Sequence, residues 1–156
     1  MSTVNSSAPD FTLKNTKKED VSLSNFKGKT VVLAFYPGAF TGVCDTEMCK
    51  LKEDMEAFNE MGATVLGISV DSPWANGAFA EKYDLNFELL SDLDRSATKN
   101  YDLLFEGLGG IKGYTCANRG VVIVDSEGII KYRWVADPNP GVEPNYDEIK
   151  DFIKNM

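Results

Sequence analysis

Three side chains in this 156-residue sequence can become strong nucleophiles at neutral pH: Cys44, Cys49 and Cys116. There is no histidine, so Ser-His-Asp triads, His general bases and His-ligated metals are excluded, and a working thiol must be activated by other means. Cys44 ends the segment Pro37-Gly-Ala-Phe-Thr41-Gly-Val-Cys44, which puts a hydroxyl three residues ahead of a thiol at the entry of a helix. There, unpaired backbone N–H groups and the helix dipole favour negative charge and lower a thiol pKa. Thr41 can serve as an N-cap or as a hydrogen-bonding group for a bound oxygen. Pro37 offers no N–H, fixes the chain and can shield a reactive sulfur from bulk water. Cys44 also opens an apolar stripe, so a small buried hydrophobe is its competing reading.

Cys49 follows by five residues. In an intact helix the two Cα atoms stand about 8.6 Å apart and about 140° around the axis, beyond the roughly 7 Å that a disulfide spans. The pair can close only if the first turns unwind. Cys49 lies off the stripe and is expected to be the more exposed thiol. Cys116 sits in a Gly-rich stretch three residues before Arg119 and is expected to be an unactivated loop thiol, with a second possible partner role for Cys44.

The elements that must position these groups follow from periodicity. Phe11–Leu13 and Val21–Leu23 flank a polar turn and predict a short hairpin. Thr30–Tyr36 is almost continuously apolar, as a strand covered on both faces should be. From Gly42 the period changes: Cys44, Met48, Leu51, Met55 and Phe58 mark one buried stripe on a helix that runs to Gly62. A second buried strand, Ala63–Val70, leads into Asp71-Ser72-Pro73, a helix start, with that helix reaching about Tyr83. A short apolar run at Phe87–Leu90, a short helix over Asp94–Tyr101 and a Gly-rich loop over Gly107–Asn118 follow. Val121–Val124 and Ile129–Val135 predict a hairpin around Asp125–Gly128. A rigid Pro-rich crossing over Asp137–Pro144 leads to a closing helix, Tyr146–Met156. This order predicts an α/β fold, a mixed sheet with helices on both faces, in one domain over residues 1–156. Functional groups should gather where the buried strands end and helices begin.

Composition narrows the partners. Sixteen basic and 24 acidic side chains give a net charge of −8, which disfavours nucleic acid and anionic membranes. No run approaches the roughly 18 apolar residues of a membrane span, and the N-terminus has no signal-peptide pattern, so a cytoplasmic protein is expected. Three scattered Cys with no His do not make a standard tetrahedral metal set, so no metal or other cofactor is expected.

The segment Phe35-Tyr-Pro-Gly-Ala-Phe-Thr-Gly-Val-Cys44 resembles the active-site loop of the peroxiredoxins, thiol peroxidases of thioredoxin-like fold. Ala8–Leu13, Gly67–Pro73, Leu89–Asp92 and Arg119–Gly128 share the resemblance. It implies that Cys44 is the peroxidatic thiolate, oxidised by hydrogen peroxide or organic hydroperoxides to a sulfenic acid. Thr41 and backbone N–H groups would hold the peroxide, Arg119 would supply a cation beside Cys44, and Glu47 would orient that guanidinium. The C-x4-C spacing is similar to the bacterioferritin-comigratory-protein class, which implies Cys49 as the resolving cysteine and a thioredoxin-like dithiol protein as reductant, in a monomer or homodimer. Ala39–Cys44 and Ala117–Gly120 are equally similar to a one-cysteine, alkyl hydroperoxide reductase E-like subgroup. A thioredoxin-type disulfide oxidoreductase would need C-x-x-C, which is absent. A redox-regulated holdase is a further reading, for which Trp74, Phe79, Tyr83 and Trp134 could form a contact surface, with core packing as the default reading of these aromatics.

Overall fold

The computed structural model describes residues 3–156. β1 (Thr12–Lys14) and β2 (Asp20–Ser22) pair antiparallel around a turn organised by Asn15, whose side-chain oxygen accepts the N–H groups of Lys17 and Glu19 at 2.9 and 3.0 Å. β3 (Thr30–Phe35) has no more than 1% exposure from Val31 onward, and it lies between β4 (Ala63–Ser69), parallel to it, and β8 (Gly120–Val124), antiparallel to it. With β5 (Glu88–Ser91) and β9 (Ile130–Val135) the seven-stranded order is β2-β1-β5-β4-β3-β8-β9.

Alternate residues of β3, together with Tyr36, which follows it, feed two apolar layers. Val32, Ala34 and Tyr36 pack with residues of α1 (Val43–Glu53), α2 (Met55–Glu60), α3 (Pro73–Tyr83) and α5 (Tyr146–Lys154). Val31, Leu33 and Phe35 face the N-terminal segment and α4 (Ser96–Asn100). Ser72 caps α3 by accepting from the Ala75 N–H, with Pro73 in the first turn, as its sequence implies.

Two expectations are corrected. The stripe from Cys44 to Phe58 is buried throughout, but on two helices: the chain breaks at Asp54, at φ −90°, ψ 0°, where Lys150 of α5 pairs with its carboxylate at 3.1 Å. Periodicity reports which side faces the core, and both pieces face it, so the break leaves no mark on the pattern. The Gly-rich stretch is also no open loop. β6 (Leu104–Glu106) and β7 (Thr115–Ala117) pair as a separate hairpin, its bend formed by Gly107, Gly109, Gly110 and Gly113, all at positive φ.

Candidate active site

The C-terminal end of β3 runs into Pro37, and the register Phe35↔Gly120 sets the start of β8 beside it. Arg119, the residue before β8, is thereby delivered to the loop between β3 and α1. A Cβ on Gly120 would come within 2.9 Å of the end of the Leu103 side chain and 3.3 Å of the Trp134 carbonyl, so a larger residue would make those neighbours shift as the chain carrying Arg119 settles here. The loop is shaped by Asp71, at the end of the parallel neighbour β4, whose carboxylate accepts the Ala39 N–H at 2.8 Å. Phe40 takes a left-handed φ of 63° and Gly42 one of 76°, and the chain turns into α1 with Cys44 in its first turn.

Cys44 has no exposed surface. Two donors converge on its sulfur: Thr41 Oγ1 at 2.9 Å and Arg119 Nη2 at 3.1 Å. All three guanidinium nitrogens are engaged, with Nη1 on Glu47 Oε1 at 2.7 Å and Nε on the Pro140 carbonyl at 2.8 Å. Arg119 and Glu47 are both buried. Thr41 is not an N-cap, since that position belongs to Gly42 and no side chain caps the helix. Its hydroxyl reaches instead the sulfur and the Gly38 carbonyl, the latter at 2.6 Å. Pro37 is buried beside them.

The electrostatics correct the expectation of a depressed thiol pKa. Burial pushes the Cys44 thiol up, and Arg119, followed by the Thr41 hydroxyl, only partly offsets it. A helix start favours a thiolate, but a sulfur shut away from water loses more by desolvation than those groups return. Burial likewise pushes the Glu47 carboxyl up to about 7 against the pull of Arg119.

Cys49, in the second turn, is half-buried and makes no disulfide. Burial and the carboxylates of Asp45 and Glu53 raise its thiol, while Lys52 lowers it. The intact helix keeps it apart from Cys44, as its spacing requires. Cys116 lies in β7 opposite Phe105, fully buried. Burial drives its thiol up to about 11, and the nearby Cys44 adds to the rise. Of the four aromatics considered for a contact surface, Trp74 is 71% exposed, whereas Phe79 is in the core.

A cavity of about 620 Å³ opens beside the thiol, lined by Pro37, Thr41 and Arg119 on one side and by Phe105, Leu108 and Tyr114 of the hairpin on the other. The two groups that touch the Cys44 sulfur therefore also face this space. Sequence reasoning missed three contributors. Asp71 was legible as a polar residue ending a strand parallel to β3. The Pro140 carbonyl and the hairpin wall come from remote segments with no local signal. Among the described residues no cluster of His, Cys, Asp or Glu is placed to hold a metal, and no helix is long and apolar enough to cross a membrane.

Comparison with known proteins gives a consistent picture. The AhpC/TSA family pattern matches residues 4–133. A chloroplastic peroxiredoxin Q of Triticum aestivum is 36% identical over 95% of this chain, which spans 65% of that protein's length. Peroxiredoxin Bcp of Bacillus subtilis is 38% identical over 81% of this chain and 81% of its own length. The reduced 2-Cys peroxiredoxin of Plasmodium vivax superposes with a TM-score of 0.85 at 31% identity, covering 97% of this chain and 80% of that one.

Proposed function

The chain belongs to the AhpC/TSA family and has the thioredoxin-like peroxiredoxin fold, and from that premise we propose how it works: it is a thiol-dependent peroxidase, one domain, with Cys44 as the peroxidatic residue. The convergence of Thr41 Oγ1 and Arg119 Nη2 on the Cys44 sulfur is the observation that carries this reading. Deprotonated Cys44 attacks the terminal oxygen of a hydroperoxide. The O–O bond breaks, the sulfur becomes a sulfenic acid, and the leaving alkoxide or hydroxide takes up a proton. Arg119 stabilises the thiolate and the charge that moves onto the peroxide oxygens. Thr41 shifts its single proton between the Gly38 carbonyl, the sulfur and the substrate, and Pro37 keeps water from the sulfur. Glu47 and the Pro140 carbonyl hold the guanidinium in place. The cavity admits hydrogen peroxide and has apolar walls for organic hydroperoxides.

Cys49 then attacks the Cys44 sulfenic acid, forming a disulfide and releasing hydroxide. An external thioredoxin-like dithiol protein reduces that disulfide by exchange and is itself oxidised. The first turns of α1 must unwind for the two sulfurs to meet. A cytoplasmic location is part of the same proposal, in keeping with a net charge of −8; no helix among the described residues is long and apolar enough to cross a membrane. One equivalent of hydrogen peroxide followed by thiol mapping tests the cycle. A Cys44–Cys49 bridge supports it. A Cys44–Cys116 bridge would transfer the resolving role to β7, and a persistent Cys44 sulfenic acid would make this a one-cysteine enzyme.

A further inference from the structure

Helix α1 is anchored on two sides. Its inner anchors are groups that the peroxide step disturbs: Cys44 touches Thr41 and Arg119, and Glu47 pairs with Arg119. An oxygen added to a sulfur without exposed surface has to displace one of those neighbours. Its outer anchors are on α3 and leave the chemistry untouched. Phe79 and Tyr83, four residues apart and so on one face of α3, stack edge-on with ring centroids 5.5 Å apart. Phe79 meets Phe40, just ahead of α1, at 5.1 Å. Tyr83 donates its hydroxyl to Asp45, the residue after Cys44. Its backbone carbonyl accepts from Lys52, three residues beyond Cys49, at 3.0 Å. Both thiols thus lie on a segment tied at each end to the same face of α3.

The Asp45 tie is finely balanced. One carboxylate oxygen takes the Tyr83 hydroxyl, while the other is buried without a partner among the described residues. Opening the helix would rehydrate that second oxygen, so the Tyr83 hydroxyl is what keeps Asp45 in its closed position. We propose that Tyr83 is a latch: through Asp45 and Lys52 it holds the first turns of α1 closed over Cys44, and its release sets the rate at which oxidised Cys44 reaches Cys49. The latch rests on the peroxidase reading above, with Tyr83 as a positioning residue that never touches the peroxide.

Tyr83→Phe removes the hydroxyl and keeps the ring stack. In the reduced protein, hydrogen exchange at the amides of residues 44–49 should quicken about tenfold, the worth of a hydrogen bond to a charged group, with β3 and β8 unchanged. After one equivalent of hydrogen peroxide, the peroxide-dependent phase should stay within about twofold of wild type, and the peroxide-independent disulfide phase should quicken about tenfold. Asp45→Asn should act in the same direction and add little to Tyr83→Phe, because both weaken one bond. Unchanged exchange at residues 44–49 overturns the latch, as does a rise of equal size throughout the sheet, which marks general destabilisation. Absence of any disulfide phase in wild type removes Cys49 as resolver, and the link to resolution with it. The exchange measurement then still decides by itself whether Tyr83 restrains the helix.

Discussion

Cys44 and Cys116 are both shut away from solvent, each with 0% exposure, and the two are close enough for the charge of one to raise the pKa of the other. Cys44 has a hydroxyl and a guanidinium on its sulfur. No hydrogen bond reaches the sulfur of Cys116 among the described residues, and its backbone is fixed in a strand rather than at a helix start. Burial penalises both thiolates, so burial cannot be what makes one of them a nucleophile. What differs is the set of donors in place to receive negative charge, first on sulfur and then on the departing oxygen. A raised resting pKa is compatible with that role, because the same donors gain strength as charge develops on a sulfur buried from bulk solvent.

The most severe way to break the comparison is to remove the sulfur that has donors. Cys44→Ser should reduce peroxide consumption to the uncatalysed rate while circular dichroism shows an intact fold; retained activity would transfer the nucleophile to Cys49 or Cys116. Next in size is Arg119→Ala, which should slow the peroxide step by about 10²–10³-fold in stopped-flow measurements, as loss of a charge-stabilising donor does elsewhere. It also strands Glu47 inside the protein, with an expected loss of about 3–5 kcal/mol in denaturant unfolding. Arg119→Lys keeps the charge but not the three-pointed fork, so it should recover stability better than rate.

Much of this contrast is legible in the amino-acid sequence. The hydroxyl three residues ahead of Cys44 and the apolar run before it mark the turn where the structure brings Thr41 onto the Cys44 sulfur, and Val121–Val124 sets Arg119 at the start of a strand. Its antiparallel pairing to β3 then follows the expected topology. The sequence also marks Cys116 as unactivated, although it suggests a loop where the structure has a strand. The loop is a hairpin because Phe105 and Cys116 pair across four glycines whose positive φ reverses the chain, and single short strands of three residues carry too little alternation to announce themselves. The direction of the Cys44 pKa was not legible. It depends on how completely the sulfur is enclosed by Thr41, Arg119 and residues far along the chain, which is a property of packing and not of spacing.

The hydroxyl should matter less than the guanidinium. Thr41→Val, which keeps the shape of the side chain, should slow the peroxide step by about tenfold to a hundredfold, since one neutral donor is lost. Thr41→Ser should restore most of the rate, and equal losses in both variants would reduce Thr41 to a packing residue. The pH dependence of alkylation sharpens the same point. Burial sets the Cys44 inflection above that of an ordinary thiol. Arg119 is the largest influence pulling it down, so Arg119→Ala must move the inflection further up, by about one unit for each 1.4 kcal/mol of lost interaction. A downward or absent shift would show that the guanidinium does not act on the sulfur.

The smallest effect is expected at the second buried thiol. Cys116→Ala removes one sulfur from a closed site and should cost about 1 kcal/mol in unfolding free energy through lost burial and a small cavity. The peroxide step should change less than about threefold, because no donor on Cys44 touches Cys116. Its thiol, pushed up to about 11, should resist alkylation in the folded protein at pH 8 while Cys49 reacts, and the Cys116→Ala variant should show the same thiol count as wild type under those conditions. The Cys44 inflection is the more sensitive readout: the two thiols repel each other's negative charge only if both ionise, and at pH 8 Cys116 stays neutral, so removing it should leave that inflection in place. A large loss of peroxidase activity in Cys116→Ala with unfolding unchanged would mean that the hairpin thiol takes part in the chemistry, and the distinction between a buried thiol with donors and one without would fail.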